Sequence, residues 1–198
     1  MTNKILELIH LKKSYHDETG EIEAINDITI DVLEKELLVI VGPSGCGKST
    51  ILSILAGVSK ESSGKINFIK DNLKIGYMLQ KDCLFPWRTI LDNCLIGLEI
   101  NNESNEENKK RVIKLLTTYG LSEFIFKYPH SLSGGMRQRV ALIRTLATNP
   151  DIILLDEAFS ALDFQSRIIL ASDVYHIIKK EQKTAIIVTH DIAEGINC

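Results

Sequence analysis

The chain has 198 residues, 44% hydrophobic and 25% charged, which excludes a disordered, collagen-like or coiled-coil polypeptide and leaves room for one substantial core. With 23 basic and 26 acidic residues, the net charge of −3 offers no general attraction to nucleic acid or to an anionic membrane, so any polyanion must be bound locally. The clearly apolar stretches run four or five residues, far below the roughly 20 that cross a bilayer. In chain order, residues 5–8 and 22–32 alternate apolar and polar side chains, the pattern of half-buried antiparallel strands. Residues 37–41 are continuously apolar and read as a strand of a parallel sheet covered on both faces. A helical pattern follows over 49–56.

The most polar run, 99–111, contains the pairs Glu106/Lys110 and Glu107/Arg111 in the favourable order for a helix face. Val112, Leu115, Leu116 and Tyr119 continue it at helical spacing, and Gly120 stands where a left-handed cap is expected. A second helical pattern, 136–148, stops at Asn149-Pro150. Residues 152–155 and 185–188 read as buried strands, with a helix over 165–180 between them. Strands alternating with helices predict an α/β fold with a small antiparallel β layer in front and a mostly helical segment over 81–149. Cys46, Cys83, Cys94 and Cys198 form no CxxC pair, and Lys4, Glu7 and His10 interrupt any signal-peptide pattern. Reduced thiols in the cytoplasm, with no thiol metal site, are therefore expected.

Gly42-Pro43-Ser44-Gly45-Cys46-Gly47-Lys48-Ser49-Thr50 fits G-x-x-x-x-G-K-[ST] and lies between a predicted strand and a predicted helix, as that motif requires. Its glycines let backbone N–H groups wrap a phosphate chain, and the following helix adds its positive end. Lys48 would reach the β and γ phosphates of a nucleoside triphosphate, and the Ser49 hydroxyl would be a ligand of Mg²⁺. The complementary carboxylates follow the strand 152–155. Asp156 would hold Mg²⁺ directly or through water, and Glu157 is placed to polarise a water for attack on the γ phosphate.

Between these two sites stands Leu132-Ser133-Gly134-Gly135-Met136-Arg137-Gln138-Arg139, which resembles the signature motif of ABC-type ATPases. Ser133 can cap the helix beginning at Gly134, so that its hydroxyl, the amides of Gly134 and Gly135 and a helix N-terminus form an anion site. The resemblance, covering about 5–196, implies that this site serves ATP bound to a second protomer in a head-to-tail dimer. It further implies that Tyr15 stacks on adenine, that Gln80 touches Mg²⁺ and the attacking water, and that His190 is the switch histidine near the γ phosphate. Ser160-Ala161-Leu162-Asp163 resembles the loop facing the opposite protomer, with Asp163 among the nucleotide-binding residues. His10, His16, His130 and His176 have no such context and read as surface or packing residues.

Members of the family are transporters or soluble machines acting on nucleic acid or ribosomes. The second class usually carries two cassettes or a long coiled-coil insertion, neither of which is present. Leu84, Phe85, Pro86, Trp87, Arg88 and Thr89 form an apolar landing surface where transporter cassettes receive a membrane-spanning permease subunit. Together with Tyr128-Pro129-His130, the Phe-Pro-Trp string is similar to importers of the nitrate, sulfonate and taurine group. The resemblance therefore implies an ATP-hydrolysing importer subunit on the cytoplasmic face of the membrane. Its partners would be permease subunits, a second ATPase protomer and, indirectly, a solute-binding protein, with no nucleic-acid partner. The alternatives are a cassette that binds ATP with little hydrolysis, or a soluble non-transport ATPase. One domain is expected: β layer and P-loop core over 1–80, helical subdomain over 81–149, the rest of the core over 150–198. Since such cassettes usually run several tens of residues beyond the switch histidine, a C-terminal shortening is also expected.

Overall fold

The early alternation of apolar and polar residues becomes two long strands, β1 (Lys4–Asp17) and β2 (Gly20–Leu33), and the apolar run after them becomes β3 (Leu37–Val41). There follow α1 (Lys48–Leu55), β4 (Ser63–Phe68), β5 (Ile75–Met78), α2 (Ile90–Ile100), α3 (Glu106–Thr118), α4 (Gly134–Ala147), β6 (Ile152–Asp156), α5 (Phe164–Lys180) and β7 (Thr184–Thr189). This computed structural model describes residues 3–17, 20–159 and 164–191. Residues 160–163 and 192–198, including Asp163 and Cys198, lie outside the described residues, so the expectations placed on them are not addressed. Among the described residues no helix is long and apolar enough to cross a membrane.

Two sheets form. The first is antiparallel, in the order β2-β1-β4, and the second is parallel, in the order β3-β7-β6-β5. β1 bends where its register shifts between Leu8 and Leu11, at His10 with φ 49°. Gly64 of β4 faces that bulge at φ 99°, and a Cβ there would sit 2.4 Å from the His10 carbonyl oxygen, so only glycine lets the strands close.

The parallel sheet divides two cores by the two-residue strand period. Ile152, Leu154, Ile186 and Val188 pack towards α1 and the β layer. Ile153, Leu155, Ala185 and Ile187 pack towards α4, α5 and the helical segment. β6 and β7 are buried throughout. β3 is not: residues 37–40 are half-buried and Val41 is exposed. Both faces are covered, with Leu37 and Val39 against one core and Leu38 and Ile40 against the other, but burial is incomplete because β3 pairs with β7 alone among the described strands and sits at the sheet edge.

The helical segment is pinned by caps written in the sequence. Thr89 accepts from the Asp92 N–H, Asn105 from Asn108 and Ser133 from Met136. Gly120 adopts φ 77° and the Leu121 N–H returns to the Leu116 carbonyl, closing α3. Arg111 bonds the Ala147 carbonyl and so ties α3 to the end of α4. His10 contacts Asp27, His130 stacks on Tyr128 and His176 meets Tyr175 edge-on, all outside the phosphate loop.

Candidate functional site

The loop between β3 and α1 closes on its own lysine. Lys48 is only 5% exposed and its Nζ donates to the carbonyls of Gly42 (2.7 Å) and Pro43 (2.8 Å), with Cys46 Sγ 3.9 Å away. Gly47 has φ 91°, and a Cβ on it would meet the Ala24 carbonyl oxygen at 2.1 Å, so glycine is what allows β2 to approach the loop. A cleft of about 160 Å³ opens there, lined by Ala24, Gly45, Gly47, Lys48, Ser49, Thr50 and Glu157. No acidic residue occupies the first turn of α1, leaving its positive end to an incoming anion. A larger cavity of about 410 Å³ beside Arg139, Asp173 and His176 contains none of these loop residues.

The C-terminal ends of β5, β6 and β7 deliver the acids and their partners, as expected for the ligand-facing edge of a parallel sheet. Asp156, at the end of β6, is buried, and its Oδ1 accepts from Ser49 Oγ at 2.7 Å. Its Oδ2 accepts from Tyr77 Oη at 3.0 Å, and burial pushes the Tyr77 phenol up to about 12, so it remains a donor at neutral pH. Glu157 stands at φ 42°, a backbone conformation costly for a non-glycine residue and commonest at functional sites. Its N–H donates to the Val188 carbonyl at 3.0 Å. Its Oε2 lies 3.5 Å from Gln80 Nε2 and 3.3 Å from His190 Nδ1. Asp191, the next residue, pairs with Arg167 of α5 at 3.2 Å.

Thus Lys48, Ser49, Thr50, Asp156, Glu157, Gln80 and His190 converge. One hydroxyl, one carboxylate and one amide suit a hard cation such as Mg²⁺ that takes its remaining ligands from phosphate and water. Ser133, Gly134 and Gly135 do not line this cleft. Ser133 caps α4 as the sequence predicts, with its hydroxyl accepting from the Met136 N–H. Tyr15 lies on β1, paired with Ile22; its ring is 44% exposed, and Lys13 Nζ covers one face at 4.7 Å from the centroid. An adenine would stack on the other face or displace Lys13.

Sequence reasoning missed the residues that brace this machinery. Asn93, fully buried at the start of α2, shares the two hydrogens of its Nδ2 among the carbonyls of Phe85, Arg88 and Thr89, and its Oδ1 accepts the Phe85 N–H at 2.7 Å. It sets the loop that exposes Trp87 (71%) against Phe85, ring centroids 5.1 Å apart. No sequence signal marked Asn93, because its burial and the inward-facing carbonyls emerge only in the fold. Asn93→Ala is expected to cost about 2–3 kcal/mol by orphaning these groups. That reads as a melting temperature lower by about 4–10 °C, with faster proteolysis near Trp87; an unchanged melt would mean that water replaces the bonds.

Helix α4 grips the segment after β5. Arg137 Nε donates to Asp82 Oδ2 (3.0 Å), Gln138 Nε2 to the Gln80 carbonyl (3.3 Å), and Arg144 to the carbonyls of Asp82 (2.7 Å) and Cys83 (2.8 Å).

The ABC transporter family model matches residues 25–160. The uncharacterized ABC transporter ATP-binding protein YtlC of Bacillus subtilis is 47% identical over 196 residues, covering 96% of this chain and 75% of that protein. The taurine import ATP-binding protein TauB of Rhizobium johnstonii is 39% identical, covering 88% and 69%. Other relatives are named for import of Fe(3+) ions, probable import of sulfate/thiosulfate, and transport of glycine betaine. Among solved structures, the dimeric post-hydrolysis state of the ATP-binding cassette MJ0796 bound to ADP and Pi superposes with a TM-score of 0.80 at 31% identity, covering 98% of this chain and 91% of that one. Phosphate loop, acidic strand end and capped signature helix therefore stand in the same fold as a cassette of known nucleotide chemistry, and the chain belongs to the ABC transporter family of ATPases.

Proposed function

We propose that the chain is the ATP-hydrolysing subunit of a membrane importer for a small solute and works by closing on a second copy of itself around ATP. The observation that carries this reading is the convergence of Lys48, Ser49, Asp156, Glu157, Gln80 and His190 at one cleft while the Ser133 anion cap stands outside it. One chain thus holds two unlike half-sites, which a head-to-tail partner would complete in both directions.

On binding ATP, Lys48 would exchange its two carbonyl acceptors for phosphate oxygens, a charge-assisted replacement. Ser49 and Asp156, with Gln80 nearby, would hold Mg²⁺, which would supply neutralisation of the phosphate charge. Glu157 would take the proton of the water attacking the γ phosphate, with Gln80 and His190 orienting its carboxylate. A neutral His190 that donates through Nδ1 to Glu157 presents Nε2 only as an acceptor, so its contact to phosphate requires release of Glu157 or a protonated ring.

Of the expected landing residues 84–89, Leu84 is buried in the core and cannot serve as an exposed anchor; the exposed Phe85 and Trp87 carry the proposed permease contact, which would hold the chain at the cytoplasmic face of the membrane. The Phe-Pro-Trp string favours a nitrate-, sulfonate- or taurine-like solute; the relatives' names span chemically different solutes, so the cassette itself does not select one. Magnesium-dependent phosphate release by the purified chain tests the ATPase, and co-purification with membrane subunits tests the transporter. Trp87→Ala is expected to reduce permease capture by about tenfold or more, as loss of a central aromatic anchor does, with phosphate release by the isolated chain unchanged. Capture of ribosomes or DNA in place of a membrane subunit would overturn the transport reading.

A further inference from the structure

Tyr77 of β5 and Gln80, two residues beyond the strand, reach the acids at the end of β6. Gln80 approaches Glu157 and Tyr77 bonds Asp156. Tyr77 pairs with Leu154 across the parallel ladder, and Leu154 and Asp156 share one face of β6 by the two-residue period. Tyr77 is therefore the diagonal neighbour of Asp156 on the side of the sheet facing α1. An ionised carboxylate only accepts, so the phenol must be the donor in the 3.0 Å bond to Oδ2. Ser49 thus meets Asp156 at Oδ1, and Tyr77 meets it at Oδ2.

The two oxygens of Asp156 have different duties. Terminal carboxylate torsions are broad and roughly two-fold, so backbone placement alone leaves the carboxylate free to turn. Ser49 meets only Oδ1 and leaves the other oxygen unanchored, while the phenol of Tyr77 supplies an independent donor at Oδ2. We infer that Tyr77 is a positioning residue for the cation-holding half of the site: its hydroxyl fixes Asp156 Oδ2 so that Oδ1 stays beside Ser49 whether or not Ser49 donates to it. This inference rests on reading Ser49 and Asp156 as the cation's protein ligands. Groups that orient a ligating carboxylate in this way typically change metal affinity by about tenfold or more when removed.

The test is Tyr77→Phe, which keeps the ring and its packing and deletes the donor. A fluorescent ATP analogue is titrated onto the purified chain in EDTA and across a Mg²⁺ series, and thermal melting of the nucleotide-free chain is followed alongside. Half-saturating Mg²⁺ is expected to rise about tenfold, with affinity in EDTA unchanged and the melt moved by no more than about 4 °C. An unchanged Mg²⁺ requirement in Tyr77→Phe, or an equal loss of affinity with and without Mg²⁺, would reduce the phenol to packing and overturn the inference. A wild-type chain whose nucleotide affinity ignores Mg²⁺ would instead overturn the ligand assignment of Ser49 and Asp156.

Discussion

Glu157→Gln is expected to lower phosphate release by about 10²- to 10⁴-fold, the range over which a positioned general base contributes, while ATP affinity is retained. The substitution preserves length and shape. A glutamine side-chain oxygen still accepts from Gln80 Nε2, which lies 3.5 Å from Glu157 Oε2, but it cannot take a proton at neutral pH. The backbone argues for the same separation of effects, because φ 42° costs Gln and Glu alike. Single-turnover phosphate release beside an equilibrium ATP titration checks both halves. Near-normal hydrolysis would remove Glu157 as the base, and a parallel loss of affinity would give it a binding role.

Lys48→Ala is expected to fail one step earlier. The ammonium is almost wholly withdrawn from solvent and holds two carbonyl oxygens of its own loop at 2.7 and 2.8 Å. Its desolvation has thus been met before any phosphate arrives, which makes it a prearranged cationic donor. Losing two charge-assisted bonds to phosphate should cost about 3 kcal/mol, roughly a hundredfold in ATP affinity. Thermal shift reads this directly. Ligand at a hundred times its dissociation constant stabilises the wild-type chain by about 2.7 kcal/mol, and the variant's melt should stay nearly flat at the same ATP concentration. A variant that binds ATP normally would mean that backbone amides and the α1 terminus suffice.

The parts of this molecule legible in its sequence are those specified by neighbours along the chain. The phosphate loop, the caps at Ser133 and Gly120, and the buried strands β6 and β7 are local patterns that folding does not rearrange. β4 carried no such signal because it is polar and mostly exposed. β5, four residues long, is too short for a period to emerge. The burial of β3 was overestimated because a continuous apolar run does not tell which strand takes the sheet edge. Tyr77 and Asn93 were invisible for a deeper reason: their duties are defined by Asp156, 79 positions away, and by carbonyls that a loop turns inward.

The clamp of α4 on residues 80–83 makes two distant chemistries share one rigid body. Gln138 and Arg144 fasten the backbone of Gln80, Asp82 and Cys83, and Arg137 the Asp82 carboxylate, to the same helix whose first turn is capped by Ser133. Trp87 begins only four residues beyond that clamp, and Asn93 stiffens the span between it and α2. A displacement applied at Trp87 therefore has little slack to lose before it reaches Ser133, while Lys48 and Ser49, carried by the opposite side of the parallel sheet, need not move with it. The cassette would in this sense work as a calliper: one jaw set by phosphates held at Lys48, and the other aimed by a partner resting on Trp87.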